Sequence, residues 1–470
     1  MTAREARVRL YSKSFGCRVN QYETQALREA LLADPSVVLA PDWESADLCV
    51  VNTCTVTAEA DKDALRLVRR IARRNPSARL VVTGCLADRD RAALAEAAPH
   101  ALIVGNEGKP GLAGMLGLGG GAAGACAPSF SALAPGEGRT AAPGQVTGLH
   151  GRSRALVKVQ DGCDGACSYC VVPGVRRRLA SKPLAELAAE VEGLVRAGHA
   201  EIVLCGIRLG RYEGADGKGR PIDLAGSLER LMTLRGEFRL RLSSLEIGEA
   251  TDRLFEVVAG SAGRVAPSFH LPLQSGSDAV LRRMNRPYAA ASFAARLDAL
   301  RRRLPRAGVF TDVMAGFPGE TEAEFRESLS FVRGATFRGL HVFHYSRRPG
   351  TAAASFPGQV RPETILRRTK LLRDLDGELR TAFARSAVGA ERRVVAVVPA
   401  RRAGAVPSLD RQEWDEGGRS LAGRGFSALA EDFLEILLDR APGPGIHRAL
   451  VASADGPVAR GVLLGGQAPI

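Results

Sequence analysis

Long apolar runs are missing from this 470-residue sequence. The uncharged stretch 111–135 is built from Gly and Ala rather than Leu, Ile and Val, so it reads as linker and not as a membrane span. Residues 1–10 carry Arg4, Glu5, Arg7 and Arg9 with no apolar h-region, which is not the pattern of a secretory signal, and a cytoplasmic chain without a membrane partner is expected. Lysine is scarce, supplying seven of the 65 basic residues. The formal net charge of +14 therefore fits a polyanionic partner such as RNA and an Arg-rich genome equally well. Nine cysteines without a signal peptide point to a reducing compartment, where clustered thiols are metal ligands sooner than disulfides.

Against that background one stretch concentrates chemistry: Lys158-Val159-Gln160-Asp161-Gly162-Cys163-Asp164-Gly165-Ala166-Cys167-Ser168-Tyr169-Cys170. Its thiols follow an alternating apolar run, Ala155, Val157 and Val159, that reads as a strand, so Cys163, Cys167 and Cys170 converge in a loop at a strand end. They offer three ligands and no evident fourth, since the next histidine is His199 and the next cysteine Cys205. A structural zinc site closes with four ligands, and a disulfide in so tight a loop would be strained. An iron–sulfur cluster held by three thiolates, with its fourth iron open, fits the set. This spacing, with Tyr169 directly before Cys170, resembles the radical S-adenosylmethionine enzymes, in which the methionyl amino and carboxylate groups bind the open iron.

Residues 7–105 alternate strand and helix patterns: strands over 8–12, 48–52, 80–83 and 102–104, helices over 22–33, 59–74 and 91–98. That order predicts a small doubly wound parallel sheet. Cys17 follows the first strand, Cys54 the second and Cys85 the third, so all three fall at the carboxyl edge, where open α/β sheets place ligands. Three unrelated thiols would not share one structural offset, and a second three-cysteine cluster is the natural reading. Cys49 and Cys205, inside apolar strands, and Cys126, in the linker, carry no such signal.

Gly16-Cys17-Arg18-Val19-Asn20-Gln21-Tyr22-Glu23-Thr24, then Asn52-Thr53-Cys54-Thr55-Val56-Thr57, Thr83-Gly84-Cys85 and the three-cysteine loop together resemble the methylthiotransferases, radical enzymes that insert CH3S at an unactivated C–H bond. The wording is most similar to the tRNA enzymes acting on N6-threonylcarbamoyladenosine. Isopentenyladenosine in tRNA and an Asp of a ribosomal protein are the rival substrates within the class, and a non-enzymatic iron–sulfur RNA-binding protein is the rival outside it.

Residues 106–150, rich in Gly, Ala and Pro, are expected to be a linker without chemistry. From 151 to 388, six strand candidates (155–159, 201–205, 239–243, 269–273, 309–314 and 340–344) each precede a polar loop and a helical pattern, which argues a parallel barrel or partial barrel. The resemblance implies the partial (β/α)6 barrel of radical enzymes. Chemistry in such barrels sits on the loops after the strands, and there lie Gly206, Ser243-Ser244-Leu245-Glu246, Gln274-Ser275-Gly276-Ser277, Gly316-Phe317-Pro318-Gly319-Glu320-Thr321 and Tyr345-Ser346. By resemblance, Tyr169, Glu246, Gln274 and Gly316 contact S-adenosylmethionine. The chain departs from the family where Arg176-Arg177 replaces an Arg-Gly pair, Ser181-Lys182 a Ser-Arg, and Ile247 a Pro after Glu246. Beyond 389, strand patterns at 393–398, 421–428, 433–438 and 447–452 predict a small antiparallel β-barrel similar to the RNA-binding one that ends many of these enzymes. Arg392, Arg393, Arg401 and Arg402 are its expected phosphate contacts, and the barrel is expected to add RNA affinity without serving radical generation.

The resemblance implies two [4Fe–4S] clusters, one on Cys163, Cys167 and Cys170 delivering the electron that cleaves S-adenosylmethionine, the other on Cys17, Cys54 and Cys85 where a second S-adenosylmethionine methylates sulfur. It implies as partners the tRNA anticodon loop, an electron donor such as flavodoxin or ferredoxin, and a sulfur donor. Adenine C2 lies in the pairing region of the base, so the target nucleotide is expected to be splayed out. Arg176, Arg177 and Arg178 are candidates to grip the threonyl carboxylate. Two basic clusters, Arg66, Arg69, Arg70, Arg73 and Arg74 on one helix face and Arg301, Arg302, Arg303 and Arg306, would be relieved of repulsion by a bound polyanion.

Overall fold

The computed structural model describes residues 7–118, 154–397 and 426–465. Cys126, Arg401 and Arg402 lie outside them.

The N-terminal pattern folds into five parallel strands, β1 (Val8–Ser14), β2 (Val37–Leu39), β3 (Leu48–Thr53), β4 (Arg79–Gly84) and β5 (Leu102–Val104), in the order β2-β1-β3-β4-β5. β3 and β4 are apolar and buried, as strands covered on both faces must be. The chain reverses its direction of winding between β1 and β3, the switch point at which such sheets bind ligands. Helix α1 (Arg18–Leu32) starts directly after Cys17. Helix α2 (Ala58–Arg74) is capped by Thr57, whose Oγ1 accepts from Ala60 N–H, and it buries Ala64, Val68 and Ile71 at helical spacing.

The linker begins later than composition indicates. Asn106–Gly111 is a 3-10 turn and Leu112–Met115 a helical turn. Leu112 and Leu116, four residues apart, join the cluster of Leu10, Leu31 and Val81, so apolar burial holds this piece on the sheet.

The central region forms six parallel strands, Arg154–Asp161, Glu201–Gly206, Arg239–Leu242, Ser268–His270, Gly308–Ala315 and Gly339–His344, each at a position the sequence pattern marks. The first three pair in one sheet and the last three in another. Among the described residues only single bridges, Leu240 to Val265 and Ser244 to His270, join the two, which gives an open, partial barrel. Pro362–Ser386 is a long helix packed on the last strand.

The C-terminal strands Glu391–Ala396, Phe426–Ala430, Glu435–Leu438, Ile446–Ser453 and Ala459–Leu464 close a five-stranded barrel. The sequence pattern lacks the fifth strand, and the barrel is not wholly antiparallel: Glu435–Leu438 pairs in parallel with Ala459–Leu464. Nor is it a separable appendage. Its turn 431–433 sits on the amino-terminal mouth of the central barrel, where Arg241 lies over the Phe433 ring at 4.7 Å and Phe310 meets that ring edge-on at 5.4 Å. The guanidinium of Arg239 donates to the Arg393 carbonyl (2.8 Å), that of Arg241 to the Ala430 and Glu431 carbonyls (2.9 and 3.1 Å), and that of Arg338 to the Phe433 carbonyl (2.8 Å). Gly308 is required there, because a Cβ would lie 1.9 Å from the Asp432 carbonyl oxygen.

Candidate metal centres

Cys163, Cys167 and Cys170 lie half-buried in the loop after Arg154–Asp161. The loop is fixed from outside: Cys163 N–H donates to the Arg176 carbonyl (2.9 Å), Ser168 N–H to the Met284 carbonyl (3.0 Å), Ser168 Oγ to the Arg283 carbonyl (2.8 Å), and Asn285 Nδ2 to the Ala166 carbonyl (2.7 Å). Burial pushes the Cys170 thiol up to about 12 and raises that of Cys163. Such thiols become ligands only when a cation compensates the thiolate.

Cys17, Cys54 and Cys85 stand at the carboxyl ends of β1, β3 and β4, as the strand pattern predicts. Burial first, then the nearby Cys17 and Cys85, pushes the Cys54 thiol up to about 12, so the three lie within electrostatic reach of one another. Gly16 permits the approach: at φ +85° it faces Cys54 so closely that a Cβ would fall 2.2 Å from the sulfur. Asn20 ties two of the loops, its Nδ2 donating to the Phe15 (3.0 Å) and Thr53 (2.9 Å) carbonyls. The one group of three or more His, Cys, Asp or Glu with all ligand atoms within 4.8 Å among the described residues is His270, Asp312 and His341. Three thiols in each trio, soft donors with no carboxylate among them, fit an iron–sulfur group. Cys49 and Cys205 are buried core thiols.

A buried charge network lies between the trios. Arg176 grips Glu23 with two bonds (2.6 and 2.8 Å) and also reaches Asp161 (3.0 Å) and Asn20 Oδ1 (3.0 Å). Lys158 bonds Glu23 (2.6 Å) and Asp161 (2.7 Å), and Lys109 completes the set on Glu23. The cations hold the Glu23 carboxyl well below its ordinary range against the opposing effect of burial. This corrects the expectation for Arg176: it is buried and spent on Glu23, so it cannot grip a substrate carboxylate, whereas Arg177 and Arg178 are exposed. Arg348, also buried, bonds the Thr55 carbonyl (2.6 Å) and hydroxyl (2.7 Å) and Asp61 (2.7 Å), anchoring the loop of Cys54 to the central barrel.

Of the residues expected to touch S-adenosylmethionine, Tyr169 packs edge-on to Phe317 at 6.4 Å, and Gly316 N–H donates to Glu320 Oε2 at 2.7 Å. Gln274 holds a left-handed backbone (φ +68°), stitched to Asp312 and Met314 by main-chain bonds. Glu246 pairs with Arg286, which also donates to Cys167 Sγ at 3.1 Å. Arg286 escapes sequence reasoning. The signal that could have found it is the turn residue Asn285 (φ +56°) just before it, outside the loops that follow strands.

Several arginines expected on RNA are committed elsewhere. Arg392 is buried against Asp432 at 2.6 Å, Arg301 bonds the Ala335 and Thr336 carbonyls, and Arg303 pairs with Asp252 and Glu256. On α2, Arg66 pairs with Asp63, while Arg69, Arg70, Arg73 and Arg74 are exposed without an acidic partner among the described residues. Arg66, Arg69 and Arg73 line a groove of about 510 Å³. No helix among the described residues is long and apolar enough to cross a membrane.

The sequence profile described as Uncharacterized protein family UPF0004 matches residues 9–105, and that of the Radical SAM superfamily matches 157–332. A Chlamydia pneumoniae protein named threonylcarbamoyladenosine tRNA methylthiotransferase MtaB is 35% identical, with 80% of this chain and 83% of that protein covered. A Sphingopyxis alaskensis protein named tRNA-2-methylthio-N(6)-dimethylallyladenosine synthase is 34% identical, with 83% and 87% covered. The solved structure of a radical S-adenosylmethionine methyltransferase, TsrM, from Kitasatospora setae superposes with a TM-score of 0.51 at 17% identity over 74% of this chain and 77% of that one, a likeness of fold alone. With a third of its residues shared along most of both lengths, the chain belongs to the radical S-adenosylmethionine tRNA methylthiotransferases, transferases that work with S-adenosylmethionine and [4Fe–4S] clusters.

Proposed function

We propose that the chain attaches CH3S to C2 of N6-threonylcarbamoyladenosine beside the anticodon of tRNA. The observation that carries this reading is the pair of thiol trios at the carboxyl edges of two parallel sheets, linked through Arg176, whose carbonyl holds Cys163 and whose guanidinium holds Asn20 and Glu23. Cys163, Cys167 and Cys170 would hold the cluster that serves S-adenosylmethionine, and Cys17, Cys54 and Cys85 would hold the second. When bound, these groups supply an electron, a carbon radical and the methylthio group, chemistry that an adenine C2–H demands because it offers no acid–base handle.

The chain's own part is to bind and orient. Arg286 braces Cys167 and Glu246, and Tyr169, Glu246, Gln274 and Gly316 border the cofactor position. With Arg176 committed, the threonyl carboxylate falls to the exposed Arg178 or Arg177, which can present two parallel donors. An electron donor such as flavodoxin or ferredoxin and a sulfur donor complete the reaction. The N-terminal unit takes in the turns Asn106–Gly111 and Leu112–Met115, and the central one runs to 388.

The names of relatives divide between threonylcarbamoyl and dimethylallyl substrates at nearly equal identity. The motif wording and the exposed arginines favour the carboxylate-bearing nucleoside. Nucleoside mass spectrometry of tRNA from cells with and without the gene tests this. Loss of the 2-methylthio form of threonylcarbamoyladenosine supports it, and loss of the methylthio-isopentenyl nucleoside alone refutes it.

A further inference from the structure

A charged network touches the loops of both trios. Three cations, Lys109, Lys158 and Arg176, surround two carboxylates, Glu23 and Asp161, all within one buried network. The surplus is a single positive charge. Three thiolates on a dicationic four-iron core leave one net negative charge per cluster, which a buried site must offset.

Arg176 occupies the pivot of this network. Its main-chain carbonyl receives Cys163 N–H, so it belongs to the radical loop. Its guanidinium forks onto Glu23 and reaches Asn20, on the helix that begins directly after Cys17, and Asn20 in turn ties the carbonyls of Phe15 and Thr53 ahead of Cys17 and Cys54. The third loop is tied nearby: Asn106 accepts from Lys109 Nζ at 2.7 Å and sits 3.8 Å from Cys85 Sγ. A planar fork with several fixed donors can serve all these partners at once, and an ammonium cannot.

Resting on the reading that each trio holds a cluster, we propose that Arg176 is a positioning residue that sets the spacing between the two clusters and supplies the positive charge shared by them. Radical formation at one site is useful only if the methylthio group waits at the right distance from the target carbon. The clamp therefore governs how much product each cleaved cofactor yields.

The test uses the full chain reconstituted without oxygen. Product formed per 5′-deoxyadenosine is measured in otherwise intact protein, and the potential of the second cluster is titrated by electron paramagnetic resonance in a background where Cys163, Cys167 and Cys170 are Ala. Arg176→Gln lowers the yield on the order of a hundredfold, the loss that about an ångström of misplacement causes, and shifts the potential to more negative values, because a cation that favours the reduced cluster is gone. Glu23→Gln lowers the yield in the same direction but shifts the potential to more positive values. Arg176→Lys restores the potential and not the yield. Opposite potential shifts with a common loss of yield are not produced by a generally weakened fold. Wild-type yield and potential in Arg176→Gln overturn the proposal, and so does loss of the second cluster's iron, which assigns the residue to assembly. If the chain with Cys17, Cys54 and Cys85 replaced by Ala keeps full iron, the cluster reading itself has failed, not the clamp.

Discussion

Glu201→Gln is the change that probes the joint between the central and C-terminal barrels most severely. Glu201 is fully buried, and its carboxylate accepts from Arg154 Nε (2.7 Å), Arg239 Nε and Nη2 (2.8 and 2.6 Å) and Arg241 Nε and Nη2 (2.8 Å each). Those guanidiniums hold its pKa well below the ordinary range although burial opposes them. The remaining donors of Arg239 and Arg241 hold the Arg393, Ala430 and Glu431 carbonyls of the C-terminal barrel. The amide keeps the shape but removes the charge and turns a donor toward two fully buried cations. Breaking a buried pair in this way costs about 3–5 kcal/mol, which at about 2–4 °C per kcal/mol lowers Tm by roughly 6–20 °C. The assay is thermal unfolding followed by far-ultraviolet circular dichroism at one scan rate, with limited proteolysis of the joint 387–391. Cleavage there should accelerate as the turn loosens. Adding Arg239→Gln should recover part of the loss, because one uncompensated cation is removed. A variant melting within about 1 °C of the parent, far below the loss expected for a broken buried pair, would refute the claim that this cluster fastens the two barrels.

Two further outcomes follow from the surface and from a cap. Replacing Arg69 and Arg70 by Ala should weaken tRNA binding and reduce the slope of log affinity against log salt by about 0.7–0.9 for each phosphate no longer neutralised; an unchanged slope removes α2 from the RNA path. Glu324 caps its own helix by accepting Thr321 N–H (2.8 Å) and is gripped by Arg283 (2.9 and 2.8 Å). Arg283 foremost lowers its pKa from 4.5 to about 2. A depressed carboxyl contributes stability above its unfolded value that is lost as pH falls through the folded one. The melting gap between the parent and Glu324→Gln should therefore be full above pH 4.5 and shrink toward pH 2, and a gap constant across that window contradicts the assignment.

What was legible in the sequence was local. Each barrel strand is a short apolar run ahead of a polar loop, and each N-terminal cysteine follows such a run, so the cysteine offsets could be counted along the chain. β2, three residues at the sheet edge, is too short to alternate visibly. The parallel partner of Glu435–Leu438 contains Arg460 and Gly461, which break its apolar pattern. The charged residues between the trios were not legible, because Glu23 meets Arg176 across 153 positions and Thr55 meets Arg348 across 293. Read singly, such residues look like solvated surface charges. Arg176 misleads for the same reason: it heads a run of three arginines whose neighbours are exposed, and only the fold turns it inward against Glu23.

The central claim is that two separate three-thiol sites divide one reaction, and iron content read beside cofactor cleavage tests it most directly. Anaerobically reconstituted protein should carry about eight irons per chain. Replacing Cys17, Cys54 and Cys85 by Ala should remove about half of them while 5′-deoxyadenosine still forms. Replacing Cys163, Cys167 and Cys170 should remove the other half and abolish 5′-deoxyadenosine altogether. Full iron in the first variant, or continued cleavage in the second, would contradict the account.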